Sequence, residues 1–319
     1  MKAEVIVNTK DISHQEWLNF RKQGIGGSDA AAVAGVNPFQ SPVEVFLEKT
    51  DQISSNKDNE AMRIGRDLED YVAQRFEEKR SEDTGEEVKA WNVNQMLRHP
   101  EHDFMLADID KRVVGEGALL ECKTTVDYKG LWTQEKYPNM YAIQVQHYLA
   151  VTGYSKAYLA VLILNRREFR YYEIDRDEEI IDMLIDIEKD FWENNVQQGV
   201  PPEVDGTRAS SELLKEMHPE AEEGKRKDLS DSGEDIQELI EKRNEYKETE
   251  KKFKKERKAI ENKIKDKLGD AEIGVVNGEE LVKWKNISST RFDKKSLKEE
   301  HPDIYKKFTY ESQYRRLYL

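Results

Sequence analysis

The chain has 319 residues, 37% hydrophobic and 36% charged, with a formal net charge of −14; that length allows one large core or two modest ones. The negative charge excludes a protein that grips nucleic acid through bulk positive surface, but not a nuclease, whose metal-binding site must itself be acidic. The single cysteine, Cys122, excludes an internal disulfide and a thiolate zinc site, and the six histidines have no ligand spacing.

After a short strand-like start, residues 11–18 (DISHQEWL) read as a capped helix that carries Arg21 near its end. GIGGSDAAAVAG follows. Gly24, Gly26 and Gly27 loosen the backbone, Ser28 caps a short alanine helix and Gly35 closes it, so free amides and a positive helix end lie just after Arg21. This outlines either an anion site or a glycine turn before a buried small-residue helix. Ser41-Pro42-Val43-Glu44 opens another helix, to about Thr50. In residues 59–79, Met62, Gly65, Val72, Ala73 and Phe76 share a helical face with Glu69 at its middle, while Asp67, Asp70, Glu77 and Glu78 lie elsewhere. Glu69 therefore needs a metal or an arginine, as Asp67 and Asp70 do not. Residues 81–100 read as polar loop with an edge strand near 88–93.

Residues 104–125, FMLADIDKRVVGEGALLECKTT, read as a β-hairpin about the turn signal Gly115-Glu116-Gly117. Strand alternation puts Glu121 and Lys123 on one face and Leu120 and Cys122 on the other, and gives Asp108 and Asp110 a common side. A two-residue loop at Glu116-Gly117, or a bulge, is expected, because the two-residue count sets Asp110 opposite Lys123 and diagonal to Glu121.

Residues 139–152, NMYAIQVQHYLAVT, form a helix ended by Gly153, with Tyr141, Gln144, Tyr148 and Val151 on one face and Gln146 nearly opposite. These polar groups either satisfy one another or position water or phosphate. His147 reads as a packing or surface residue. KAYLAVLILN is a buried strand, EFRYYEI its partner, and residues 177–198 a long amphipathic helix. From Pro201 to about Gly233 the chain reads as a linker holding one short helix, SELLKEMH. A long helix over residues 235–268 carries Leu239, Tyr246, Phe253 and Ile260 at heptad spacing, with Arg243, Glu250 and Arg257 at the alternate seam positions. Packing against the core or the following hairpin is expected rather than self-pairing. The Asn277-Gly278 turn marks that hairpin, and the tail TYESQYRRLYL, with Arg315 and Arg316, suits either covering the core or tracking nucleic acid.

The expected fold class is α/β (α+β): a mixed central sheet flanked by helices over residues 1–200, a linker over 201–234 and a helix-and-hairpin extension over 235–319. No apolar run approaches the roughly 20 residues that span a bilayer. The first residues, MKAEVIVNTKDISHQEW, lack the apolar centre of a secretion signal. A cytoplasmic protein without membrane association is the expectation.

Four blocks in order, RKQGIGGSDAAAVAG, MRIGRDLE, LADIDKRVVGEGALLECKT and YAIQVQHY, resemble the YqaJ-type viral recombinases, relatives of phage lambda exonuclease within the PD-(D/E)xK nuclease superfamily. The resemblance covers roughly residues 17–200 and implies a PD-(D/E)xK core that hydrolyses duplex DNA from 5′ ends and leaves 3′ overhangs for recombination. It implies that Glu69, Asp110, Glu121 and the backbone carbonyl of Cys122 hold Mg²⁺, with Mn²⁺ able to substitute. Lys123 would be the catalytic lysine, Tyr141 and Gln144 would complete the site, and Arg21 and Ser28 would contact a 5′-terminal phosphate. The position often occupied by Asn in this family is Asp108 here, which is either a third carboxylate ligand or a neighbour; Gln146 is a further candidate. A ring-shaped homo-oligomer and a single-strand annealing partner of the RecT type are implied by resemblance alone. The alternatives are an endonuclease of the same superfamily, or a catalytically inactive DNA-binding or recruiting protein.

Overall fold

The computed structural model describes residues 3–53, 59–230, 235–312 and 314–319. It contains two compact units, Met1–Met217 and His218–Leu319. The end of the sequence-predicted linker, residues 231–234, lies outside the described residues.

The first unit is built on a five-stranded sheet ordered β2 (Ala90–Asn92), β5 (Lys111–Val113), β6 (Ala118–Thr125), β7 (Lys156–Ile163), β8 (Glu168–Asp175). The β6–β7 pair is parallel and the others antiparallel, so the sheet is mixed. Parallel neighbours need a crossover, and α5 (Asn139–Thr152) provides it. A second sheet, β1 (Glu4–Asn8), β3 (Gln95–Arg98), β4 (Leu106–Asp108), is antiparallel throughout. The stretch 104–114, expected as one hairpin arm, is therefore divided: β4 pairs with β3 in the second sheet and β5 pairs with β6 in the first, the break falling at Ile109 and Asp110.

Helices cover both faces of the large sheet. On one, α4 (Glu60–Thr84) places Val72, Ala73 and Phe76 against Val113, Ala118, Leu120, Tyr158 and Ala160. Phe76 is fully buried, and burial of a ring this size stabilises by about 2 to 3 kcal/mol. Gly85, at φ +74°, ends this helix five residues beyond the expected segment. On the other face, α5 packs Val145 and Leu149 with Leu119, Leu159 and Val161, joined by α2 (Gly27–Val33), α3 (Pro42–Lys49) and α6 (Glu178–Asp190). α1 (His14–Arg21) leads into α2, and α7 (Arg208–Met217) buries Ala209 and Leu213 and packs on α3. His147 is a core residue: fully buried, it bonds Glu188 Oε1 at 2.8 Å and the Leu106 carbonyl at 2.8 Å, tying α5 to α6 and β4.

In the second unit, α8 (Ile236–Leu268) buries none of its residues, and Leu239, Tyr246, Phe253 and Ile260 are all exposed. Within this unit the stripe is not covered by the hairpin. The hairpin of β9 (Ile273–Val276) and β10 (Glu279–Lys283) turns at Asn277-Gly278 as expected, but it reaches only the helix end, where Leu268 meets Gly274. Two short helices, α9 (Lys294–Glu300) and α10 (Pro302–Lys307), follow. Among the described residues no helix is long and apolar enough to cross a membrane.

Candidate active site

The site begins with strand parity. Leu119 faces the α5 core and Leu120 the α4 core, so Glu121 and Lys123 project on the α5 side and Cys122 on the α4 side. The turn before them is not the two-residue loop expected. Val113 pairs with Ala118, which leaves a four-residue loop over residues 114–117 that needs Gly115 at φ +79°. An even count preserves the face. The ladder ends at Lys111↔Leu120, so Asp110, at the bend just before it, is not paired opposite Lys123; its Oδ2 accepts a 2.8 Å bond from the Cys122 N–H, next to Glu121.

Glu121 Oε1 accepts from Lys123 Nζ at 2.6 Å and from Gln144 Nε2 at 2.7 Å, while Gln144 also donates to the Tyr148 hydroxyl at 3.2 Å. Lys123 lies over the Tyr141 ring, 5.4 Å from its centroid. Glu121 Oε2 is buried and has no hydrogen-bond partner among the described residues. Burial, and then the neighbouring Glu121 carboxylate, pushes Asp110 well above the usual carboxylate range, and burial raises Glu121 as well. Burial pulls the Lys123 ammonium down, but Glu121 and Asp110 outweigh it and keep it protonated.

Glu69 reaches the same region from α4. Because its ladder partner Leu120 faces the α4 core, Lys111 points to the α4 side, where its Nζ meets Glu69 Oε1 at 2.6 Å and Asp70 Oδ1 at 2.8 Å. The cation bonded to Glu69 is thus Lys111, and Asp70, whose side chain is 84% exposed, shares it. Glu69, Asp108, Asp110 and Lys111 line a cleft of about 300 Å³ with Arg66, Asn92 and Asn94.

A second group of charges lies at the end of α1. Arg21 Nη2 is 3.2 Å from Asp29 Oδ1 and 3.4 Å from Ser28 Oγ, and Lys49 Nζ is 2.6 Å from Asp29 Oδ2. Asp29 Oδ2 also accepts from the Gly26 N–H at 3.0 Å. Burial opposes ionisation of Asp29, but Lys49 and Arg21 prevail and hold it at about 2. Arg21 stacks over Trp17 at 5.1 Å, and the indole N–H donates to Asp108 Oδ2 at 2.7 Å. Asp108 therefore joins the Arg21 corner to the cleft, and burial raises it above its ordinary value against the pull of that hydrogen bond.

Other candidates lie apart. Gln146 bonds the Asp175 carbonyl at 2.8 Å and the Asp177 N–H at 3.0 Å, so it fastens α5 to the β8–α6 junction and takes no part in the Glu121 cluster. Arg315 and Arg316 belong to the second unit, where Arg315 donates to the His218 carbonyl at 3.3 Å and Arg316 lies over Tyr318. Sequence reasoning missed Asp29, Lys49, Trp17 and Lys111 as members of these clusters, while Tyr148, read on one face with Gln144, does bond to it. Only Asp29 left a local signal, as the acidic residue three after Gly26 at a helix start.

The donor set suits a hard divalent cation. Asp110 and Glu121 offer buried carboxylates, both raised first by burial and Asp110 further by Glu121; Glu121 Oε2 is a buried oxygen without a hydrogen-bond partner among the described residues, and the donor set holds no thiolate or imidazole. Among the described residues, no three acidic or imidazole groups are gathered closely enough to hold an ion as they stand. Glu69 is engaged by Lys111 and must turn from it to join Asp110 and Glu121.

A family model described as the YqaJ-like viral recombinase domain matches residues 16–155. The protein YqaJ of Bacillus subtilis (strain 168), itself uncharacterized, is 41% identical over 320 residues, covering 99% of this chain and 97% of that protein. Among solved structures, the alkaline exonuclease LHK-Exo of Laribacter hongkongensis is 19% identical with a TM-score of 0.45, over 64% of this chain and 97% of that one. A phage-related exonuclease from Haemophilus somnus 129PT is 14% identical with a TM-score of 0.43, over 57% of this chain and 99% of that one. With full-length identity at this level and the domain match spanning both charge clusters, the chain belongs to the YqaJ-like viral recombinase domain family.

Proposed function

We propose that the chain is a divalent-cation-dependent deoxyribonuclease that digests one strand of duplex DNA from a 5′ end and leaves a 3′ single-stranded overhang for recombination. The observation that carries this reading is the buried Glu121 carboxylate, held on one oxygen by Lys123 and Gln144 and left without a partner among the described residues on the other, beside an Asp110 that bonds the next residue's N–H. Glu69, Asp110 and Glu121, with the Cys122 backbone carbonyl, would hold Mg²⁺ or Mn²⁺. Such an ion supplies Lewis acidity to a phosphodiester oxygen and to an attacking water. Lys123, kept protonated by its two carboxylate neighbours, orients that water or balances charge as the phosphorus becomes five-coordinate. Gln144 fixes the Glu121 rotamer, and Tyr141 backs the Lys123 ammonium. Arg21, supported by Ser28, would receive the 5′-terminal phosphate, and Trp17 and Asp108 set its distance from the cleft. Ring assembly around DNA, cytoplasmic action and delivery of the overhang to a RecT-type annealing protein complete the proposal.

The test uses linear duplexes with 5′-phosphate or 5′-hydroxyl ends and a covalently closed circle, each with Mg²⁺ and with chelator. The reading expects faster loss of the phosphorylated strand, an intact circle and no reaction with chelator. Equal rates on both ends, or cutting of the circle, would replace it with the endonuclease alternative.

A further inference from the structure

We propose that Lys111 is the resident counter-cation of Glu69, that an incoming divalent ion displaces it, and that Asp70 receives the displaced ammonium. The inference rests on the metal-centre reading above and adds the means by which the empty and loaded forms each keep their charges matched.

Three observations support the exchange. First, the Lys111 side chain is only 4% exposed, so its ammonium cannot stand without a carboxylate once Glu69 leaves. Second, it already touches two carboxylates, at 2.6 and 2.8 Å; both line the cleft beside Asp110, but they differ in setting, Glu69 being 33% exposed and Asp70 84% exposed. Asp70 gains little by itself from a surface ion pair. It does allow Glu69 to depart without stranding the lysine. Third, Lys111 cannot follow Glu69 toward Glu121, because its ladder partner Leu120 faces the α4 core and strand alternation sends Glu121 to the other face. Glu69 must therefore choose between the lysine and an ion shared with Asp110 and Glu121. Lys123 makes no such exchange, since it lies on the same face as Glu121.

Calorimetric titration of the DNA-free protein with Mn²⁺ or Mg²⁺ tests this, with ion-free melting curves as the folding control. Lys111→Met should tighten ion binding about tenfold, as expected when a competing like charge is removed. Asp70→Asn, at an exposed position that folding tolerates, should weaken it about threefold because the lysine loses its alternative partner and holds Glu69 harder. The decisive measurement is the double variant. If Asp70 acts only through Lys111, Lys111→Met with Asp70→Asn binds the ion as tightly as Lys111→Met alone. A further weakening in the double variant would mean that Asp70 acts by general electrostatics, and would overturn the exchange. So would unchanged or weaker binding in a folded Lys111→Met protein, or unchanged binding in Asp70→Asn. No binding heat in the wild type would instead remove the metal-centre reading itself.

Discussion

The first unit holds two clusters of buried charge that share the same chemistry and are balanced in opposite ways. At the end of α1, both Asp29 oxygens are matched, one by Arg21 and the other by Lys49 and the Gly26 N–H, and the carboxyl is drawn down to about 2. Across β5 and β6, one Glu121 oxygen holds Lys123 and Gln144, the other has no partner among the described residues, and Asp110 and Glu121 are both driven up. The difference lies in the number of donors each carboxylate meets rather than in depth. Matching both Asp29 oxygens fixes α1, α2 and α3 to one another and leaves that carboxylate no place for a cation, although Arg21, 30% exposed, keeps donors for an anion. The incompletely matched Glu121 is where a cation belongs.

The sharpest way to break this comparison is to neutralise each cluster's carboxylate in turn. Glu121→Gln should lower DNA hydrolysis about a thousandfold or more, since it removes several kcal/mol of charge stabilisation at the reacting centre. Its ion-free melting temperature should hold or rise, because burial already disfavours the Glu121 charge and the amide oxygen of a glutamine still accepts from Lys123. Retained hydrolysis in this variant would remove Glu121 from the site.

Asp29→Asn should do the reverse to stability, costing about 3 kcal/mol by leaving Lys49 and Arg21 unmatched. The pH dependence gives the sign. Asp29 sits at about 2 when folded, against about 3.9 in an unfolded chain. Its contribution, about 2 kcal/mol before the cost of burying Lys49, is therefore present above pH ~4 and lost as pH falls through 2. Denaturation of wild type and variant from neutral pH downward should show the gap closing over that window; a constant gap would mean that packing rather than charge is at stake.

The smallest effect is expected in the second unit. Arg315→Ala with Arg316→Ala should weaken duplex binding and reduce the salt slope by at most about two phosphate contacts, while leaving cleavage of a saturating short substrate nearly unchanged. Unaltered binding across a salt series would leave the tail a structural or partner-docking role.

What the sequence revealed of these clusters followed the range of the interaction. Glu121 and Lys123 on one face, opposite Cys122, is a two-residue periodicity and was legible. The heptad of α8 and the Asn277-Gly278 hairpin were legible for the same local reason. The split between β4 and β5 was not, because LADIDKRV contains no breaker and its division depends on β3 and β6 competing for it. The four-residue turn was misread because a compact signal at Glu116-Gly117 concealed the Gly115 bend. Lys49 meets Asp29, and Lys111 meets Glu69, only through tertiary packing, so neither pairing could be read along the chain. Gln146 shows the same limit from the other side: a polar residue on a core helix reads alike whether it serves a site or, as here, a strand end.

β6 has edges of two kinds. Its pairing with β5 closes through a short loop, but its pairing with β7 joins Ala118 to Lys156 across the whole of α5, which also supplies Gln144. Closing the longer loop carries the larger entropic cost. In folding time, then, Asp110 and Glu121 meet early on a two-stranded ribbon, whereas the support behind Glu121 arrives only once synthesis has passed β7. A nascent or truncated chain ending before that strand holds the acidic residues without the scaffold that aims them.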